Sequence, residues 1–188
     1  MVVMVSTNLT EENGKYLVEL ARKSILYYMN IHDLLKISIS ETEIPKKLLE
    51  NGASFVTLTI NGSLRGCIGS LKAHQPLCRD VISNAVNAAF HDPRFPPLIK
   101  KDFGHIHVEI SVLTQPEASN IEKIIPGKHG VIISYHDHSA TFLPQVWKDL
   151  PDKKEFLKHL CAKADLPVSV LNEKETRIWI YVVQKFEE

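Results

Sequence analysis

The sequence predicts an α+β protein, with a mixed or antiparallel sheet of hairpins flanked by helices. Three observations carry this. Apolar residues recur at helical spacing in two long stretches. Strand-like runs are joined by turns short enough for hairpins. Helices and strands are mixed along the chain and do not alternate strictly, which argues against a doubly wound parallel sheet.

The first helix is predicted over about 10–29. Asn8, followed by Glu11 three residues on, reads as its start. Tyr16, Leu17, Leu20, Ala21, Ile25, Tyr28 and Met29 mark its apolar face. Pro45 opens a short helical turn before Lys46-Lys47-Leu48-Leu49. Residues 54–60 are β-rich, and Asn61-Gly62 after them is a strong two-residue hairpin signal. Ser63 to Ser70 forms the return strand. A second helix is predicted over 76–90, with Leu77, Val81, Ala85 and Ala88 inward. Asp92-Pro93-Arg94-Phe95-Pro96-Pro97 is too proline-rich for a helix and reads as a rigid loop. Ile106 to Leu113 alternates as a strand, with Ile106, Val108, Ile110 and Val112 on one face and Glu109 on the other. Val131–Tyr135 and Ala140–Leu143 suggest a second hairpin around His136-Asp137-His138. Asp152 with Glu155 caps a helix running to about Ala164, and Arg177 to Phe186 is the last strand.

A regular two-residue turn at Asn61-Gly62 pairs Ile60 with Ser63, Leu58 with Arg65 and Val56 with Cys67. Arg65 and Cys67 then share a sheet face with Val56, Leu58 and Ile60, an assignment that a loop one residue longer would swap. A guanidinium beside a thiol favours the thiolate, so Cys67 is a candidate nucleophile, redox centre or soft ligand. Gly66 and Gly69 flank it, as at a bulge or a close approach by backbone or ligand. The alternative is a packed cysteine, with Arg65 paired to an acid such as Glu109. Cys78 and Cys161 sit on inward helix faces and read as core.

The chain has 188 residues, enough for one domain with a substantial core. Acids and bases balance at 22 each, so no net charge draws the chain to nucleic acid or an anionic membrane. Three scattered cysteines without a CxxC argue against a disulfide framework or zinc ribbon. The apolar start, Met1 to Ser6, lacks a signal-peptide pattern, and no run is long enough to span a membrane. The cytoplasm is the expected compartment. No phosphate loop, GxSxG or HExxH is present, which disfavours ATPase, α/β-hydrolase and zincin readings. His105/His107 and His136/His138 are HxH pairs that read better as ordinary polar positions than as metal ligands. No cofactor or metal is implied.

Five segments in order resemble one family. Leu64-Arg65-Gly66-Cys67-Ile68-Gly69 is the most specific. Asp92-Pro93-Arg94-Phe95, Val108 to Leu113, Gly127 with His129-Gly130, and Leu143-Pro144-Gln145-Val146 follow it. Gly52–Leu58 and the stretch from Phe156 to Leu166 extend the match to about residues 10–186. The sequence is similar to the AMME-syndrome candidate-region domain family, known in prokaryotes as AmmeMemoRadiSam system protein A. Asp137-His138-Ser139-Ala140 departs from the usual glycine-containing turn, and the stretch after Val146 is shorter than usual.

The resemblance implies one domain over residues 1–188, with a larger and a smaller lobe whose boundary the sequence does not mark. It places the main motif near a groove between them. It fixes no reaction, and it implies a modification pathway shared with a MEMO-type protein and a radical SAM protein. The compact length suits the prokaryotic form. Cys67, Arg65, Glu109 and His129 are the candidate catalytic residues, with His129 alternatively orienting a loop. Gly66, Gly69, Asp92, Arg94 and Gln145 are the candidate groove residues. Asp92 and Arg94 either pin their loop as an ion pair or leave Arg94 to bind an anion. The competing function is a non-catalytic module for a peptide, small ligand or nucleic acid; neutral charge makes nucleic acid the weakest of these.

Overall fold

The computed structural model describes residues 9–37 and 44–188. Asn8 and the apolar start lie outside them. The cap of the first helix, α1 (Glu11–Ile31), is instead Thr10. Its hydroxyl accepts from the Asn13 N–H, and the Asn13 side chain accepts from the Thr10 N–H, both at 3.2 Å. This reciprocal box satisfies two donors that an uncapped helix leaves unpaired. Leu17, Ala21 and Ile25 on the inner face are wholly buried.

The chain forms two compact units. The first runs to Leu113 and is rejoined by Gln184–Glu188; the second is Thr114–Val183. In the first, β1 (Asn51–Gly52), β2 (Ser54–Ile60), β3 (Ser63–Gly69) and β4 (Gln75–Pro76) precede α2 (Leu77–Phe90) and β5 (Ile106–Leu113). With β10 (Val183–Glu187) they make a short β1–β4 ladder and a four-stranded sheet ordered β10-β5-β2-β3. Val56, Leu58, Val108, Ile110 and Val112 join the inner faces of α1 and α2 in one apolar core. The alternation that predicted β5 and the 3.6 period that predicted α2 are both realised there.

The second unit holds β6 (Glu117–Ser119), β7 (Gly130–Tyr135), β8 (His138–Phe142), α3 (Lys153–Lys163) and β9 (Arg177–Tyr181). Its sheet is ordered β6-β9-β7-β8. Val131, Ile133 and Ile178 pack on Phe156, Leu160 and Cys161 of α3, and Trp147 stacks on Phe156 at 3.6 Å between centroids. Asp152 caps α3 through the Lys154 and Glu155 N–H groups. The hairpin turn is shorter than expected, because His138 pairs with Tyr135 and belongs to the strand. His136 takes a left-handed conformation, φ 49°, to allow this.

Two further expectations about the strands need correction. The last strand is not continuous: it breaks at Val182, and its halves enter different sheets. The hairpin register also differs from the regular one. Ile60 faces Ser63 and Thr59 faces Leu64, but Leu58 faces Gly66 and Thr57 faces Cys67. A bulge at Arg65 takes up the extra residue. Cys67 therefore lies on the face opposite Val56 and Leu58, and Ile68 lies beside them. The physical reason is visible in the core. Regular pairing would turn Arg65 inward against buried Leu58, whereas the bulge puts Gly66 there instead.

Gly66 faces α2 closely. A Cβ at this position would lie 2.0 Å from the Ala88 carbonyl oxygen, a backbone atom that cannot swing aside. Gly66→Ala is expected to cost about 3 kcal/mol in urea unfolding. Gly104→Ala, whose Cβ meets nothing within 4 Å, should stay within roughly 0.5 kcal/mol of the parent. Equal midpoints for the two variants would refute the close packing of β3 on α2.

Candidate functional site

β3 is the edge strand of its sheet. Cys67 and Thr57 face each other, and the Cys67 N–H and C=O both turn toward the open edge. The loop after α2 satisfies them. Asp92 Oδ2 accepts from the Cys67 N–H at 2.9 Å, and Arg94 Nη2 donates to the Cys67 carbonyl at 3.1 Å. Asp92 also accepts from the Arg94 N–H at 3.1 Å, from Nε at 3.0 Å and from Nη2 at 2.7 Å. Two side chains thus replace the missing neighbouring strand.

The Asp92 carboxylate is buried while the Arg94 side chain is about half exposed (54%). The hydrogen-bonded Arg94 guanidinium, helped by the Cys67 N–H, holds the Asp92 carboxyl far below the usual carboxylate range against its own burial. Of the two roles foreseen for this pair, pinning the loop is the one the hydrogen bonds display. Arg94 nevertheless keeps an exposed edge.

Arg65 does not sit beside the thiol. Extruded by the bulge, it donates through Nη2 to the Pro96 carbonyl at 2.6 Å, and its guanidinium lies 6.0 Å from the Phe95 ring centre. Its Nη1 is buried with no hydrogen-bond partner among the described residues. Arg94 approaches the same ring at 5.5 Å. The expected Arg65–Glu109 pair is also absent: Glu109 accepts from Lys185 Nζ at 2.8 Å.

What does share the outward face is a row across three strands. Cys67, Thr57 and Glu109 stand opposite one another in register. The thiol lies 3.3 Å from Thr57 Oγ1. Burial pushes the Cys67 thiol up, and it outweighs the downward pull of the Thr57 hydroxyl and the Arg94 charge; Asp92 and Glu109 add to the rise. Gly69 lets the Phe55 ring lie across the strand, since a Cβ there would come within 2.2 Å of it.

His129 and Gln145 belong to the second unit. The His129 Nδ1 accepts from the Ile125 N–H at 3.2 Å, and its carbonyl accepts from Trp147 Nε1 at 2.7 Å. Burial lowers its pKa. Of its two foreseen roles, these bonds are those of a loop organiser. Gln145 Oε1 is buried without a partner among the described residues. His107 lies 3.6 Å from a Glu187 carboxylate oxygen, and His138 Nδ1 lies 3.0 Å from the Ala164 carbonyl.

Sequence reasoning missed a polar cluster behind β3. Asp80, with no exposed surface, accepts from the Ser54 N–H (2.8 Å) and hydroxyl (2.7 Å), the Ser70 hydroxyl (2.7 Å), and Asn84 (2.9 Å). Polar residues at i and i+4 among the inward positions of the 76–90 helix were the available signal.

Comparison with known proteins then decides the family. The AMMECR1 family pattern matches residues 18–186. The chain belongs to the AMMECR1 family. Protein MK0488 of Methanopyrus kandleri is 38% identical, with 96% of this chain and 90% of that protein covered. Protein NEQ441 of Nanoarchaeum equitans is 37% identical over 92% of this chain and 98% of its own length. The crystal structure of uncharacterized protein PH0010 from Pyrococcus horikoshii superposes with a TM-score of 0.88 at 33% identity, covering 96% and 93% of the two chains. Among the described residues, no helix of this AMMECR1-family chain is long and apolar enough to cross a membrane.

The clamp gives a signed prediction. Asp92→Asn should cost about 1–3 kcal/mol at pH 7, because a charge-assisted donor set loses its carboxylate. Since the folded-state pKa of Asp92 is depressed, its contribution is full above the unfolded value near ~4 and is lost as pH falls through the folded value. The stability gap between parent and Asp92→Asn in urea should therefore shrink only below about pH 4. A gap that is constant down to pH 2, or already absent at pH 7, would contradict this.

Proposed function

We propose that this AMMECR1-family chain is the binding component of a modification pathway. It acts through the outward face around Cys67, alongside the MEMO-type and radical SAM proteins implied by the family resemblance. The observation that supports binding over catalysis is the state of the thiol. Cys67 is fixed through its backbone, half-buried, and shifted toward the protonated form. A neutral thiol beside Thr57 and a carboxylate is a recognition surface, not an activated nucleophile. The exposed edge of Arg94 and the Lys185–Glu109 pair add charged groups to the same unit.

One observation favours a cysteine-dependent enzyme as the second reading. The Thr57 hydroxyl and the Arg94 guanidinium both favour a thiolate, so a substrate anion or a bound partner that altered burial would tip the balance.

Two measurements separate the readings. The alkylation rate of Cys67, followed by mass spectrometry against pH, should rise with a midpoint above the ordinary thiol value of about 8.5. In titrations with purified MEMO-type and radical SAM partners, Cys67→Ser should bind within about twofold of the parent, while Arg94→Ala should weaken binding by about tenfold or more. An alkylation midpoint near 7, or loss of pathway output from a folded Cys67→Ser protein, would hand the case to the enzyme. Absence of binding to either partner would remove the pathway assignment.

A further inference from the structure

A hollow of about 470 Å³ opens on the outward face of the second sheet, lined by Ser134, His136, Lys174, Glu175, Arg177 and Trp179. It is built by register. Ser134 pairs with Arg177 and Ile132 with Trp179, so Ser134, Arg177 and Trp179 stand on one face. Ile133 and Ile178 turn the other way into the core. Its size falls within the roughly 300–1,000 Å³ of small-ligand sites.

Two features of the lining call for a ligand. The Lys174 and Arg177 side chains are exposed and make no ion pair or hydrogen bond among the described residues, although Glu175 lines the same hollow. The second feature is an indole on a solvent-facing sheet position. Trp179 is half-buried beside these cations, while the other tryptophan, Trp147, lies in the core. Arginine forks onto phosphate oxygens, lysine supplies a point charge, and an indole face stacks on planar rings.

We propose that this hollow binds a nucleoside phosphate, with Arg177 and Lys174 on the phosphate and Trp179 against the base. The site stands apart from the Cys67 face, and its assignment does not rest on the proposed function. The Ser134 hydroxyl and the His136 ring at the hairpin tip supply further polar contacts. Glu175 opposes the phosphate, so the site is tuned for moderate affinity. A bounded hollow on a chain of zero net charge favours a single nucleotide over a long nucleic-acid strand.

The chain has two tryptophans, so Trp147→Phe leaves Trp179 as the sole indole reporter and retains an aromatic ring on Phe156. Adenosine 5′-monophosphate should quench its fluorescence saturably, with half-saturation below about 1 mM. Arg177→Gln should raise that concentration about tenfold, Lys174→Gln should raise it less, and Glu175→Gln should lower it. Inorganic phosphate should compete without quenching. Calorimetry on the unsubstituted chain repeats the titration independently of Trp147→Phe. No saturable signal by either method up to about 10 mM, or half-saturation unmoved by Arg177→Gln and Lys174→Gln together, overturns the proposal. Binding of a single-stranded oligonucleotide more than about tenfold tighter than the mononucleotide overturns it in favour of nucleic acid.

Discussion

The peptide of Cys67 is the point on which the motif-bearing part of this fold depends. It lies on an edge strand, where an amide and a carbonyl without partners would cost free energy or invite another strand. The loop that follows α2 answers with side chains, not backbone: Asp92 takes the amide and Arg94 gives to the carbonyl. That choice has consequences along the loop. Asp92 must remain ionised, which Arg94 enforces. Pro93 sits in a turn that the Phe95 N–H closes onto the Asp92 carbonyl at 3.1 Å, and Arg65 fastens the far end of the loop by donating to the Pro96 carbonyl. Two segments that the sequence shows as separate motifs are therefore one device. Its geometry serves position first, since it fixes where the Cys67 side chain points.

Behind the clamp, α2 carries the sheet on very little space. Gly66 allows the helix backbone to approach the strand, and small residues such as Ala85 and Ala88 face it. At the other end of the helix the contact is polar. Asp80 and Asn84 gather the start of β2 and the residue after β3 through Ser54 and Ser70. A buried carboxylate surrounded by hydroxyl, amide and backbone donors is fully satisfied without a counter-charge. Apolar contact sets the distance of helix from sheet, and the polar cluster sets its register.

Much of this was legible from residue patterns. The α+β class, both hairpins, the alternation of β5, the apolar faces of α1 and α2 and the cap of α3 follow from periodicity, capping and turn chemistry. Asn61-Gly62 located the first turn correctly, with both residues at positive φ. The register beyond it escaped, because a bulge is decided by what each pairing would bury. The clue was present: regular pairing sets Arg65 against Leu58, a core residue. Taking that cost seriously would have extruded Arg65 and moved Cys67 to the face of Thr57 and Glu109. The clamp was only half visible. The Asp92–Arg94 pair could be read from sequence, but its grip on Cys67 joins residues 25 positions apart and depends on which strand has a free edge. The break of the last strand at Val182 falls within a continuous apolar run, Ile178 to Val183, that offers no change of pattern to mark it.

That break changes what the second unit is. β5 and β10 are neighbours in the first sheet, yet the chain travels through Thr114–Val183 between them. Where it leaves and returns, the Thr114 N–H donates to the Val182 carbonyl at 2.9 Å and the Val182 N–H to Thr114 Oγ1 at 3.0 Å. Both bonds lie within the second unit and hold its two ends together. The second unit is thus an insertion into what would otherwise be a simple link between adjacent strands, with its entrance and exit side by side. Such an arrangement lets an inserted segment vary in length and shape while the parent sheet keeps its strand order, because the ends it must join never move apart. During synthesis it imposes a delay. The first sheet waits for its outer strand until the whole insertion has been made, and until then β5 is left with an open edge.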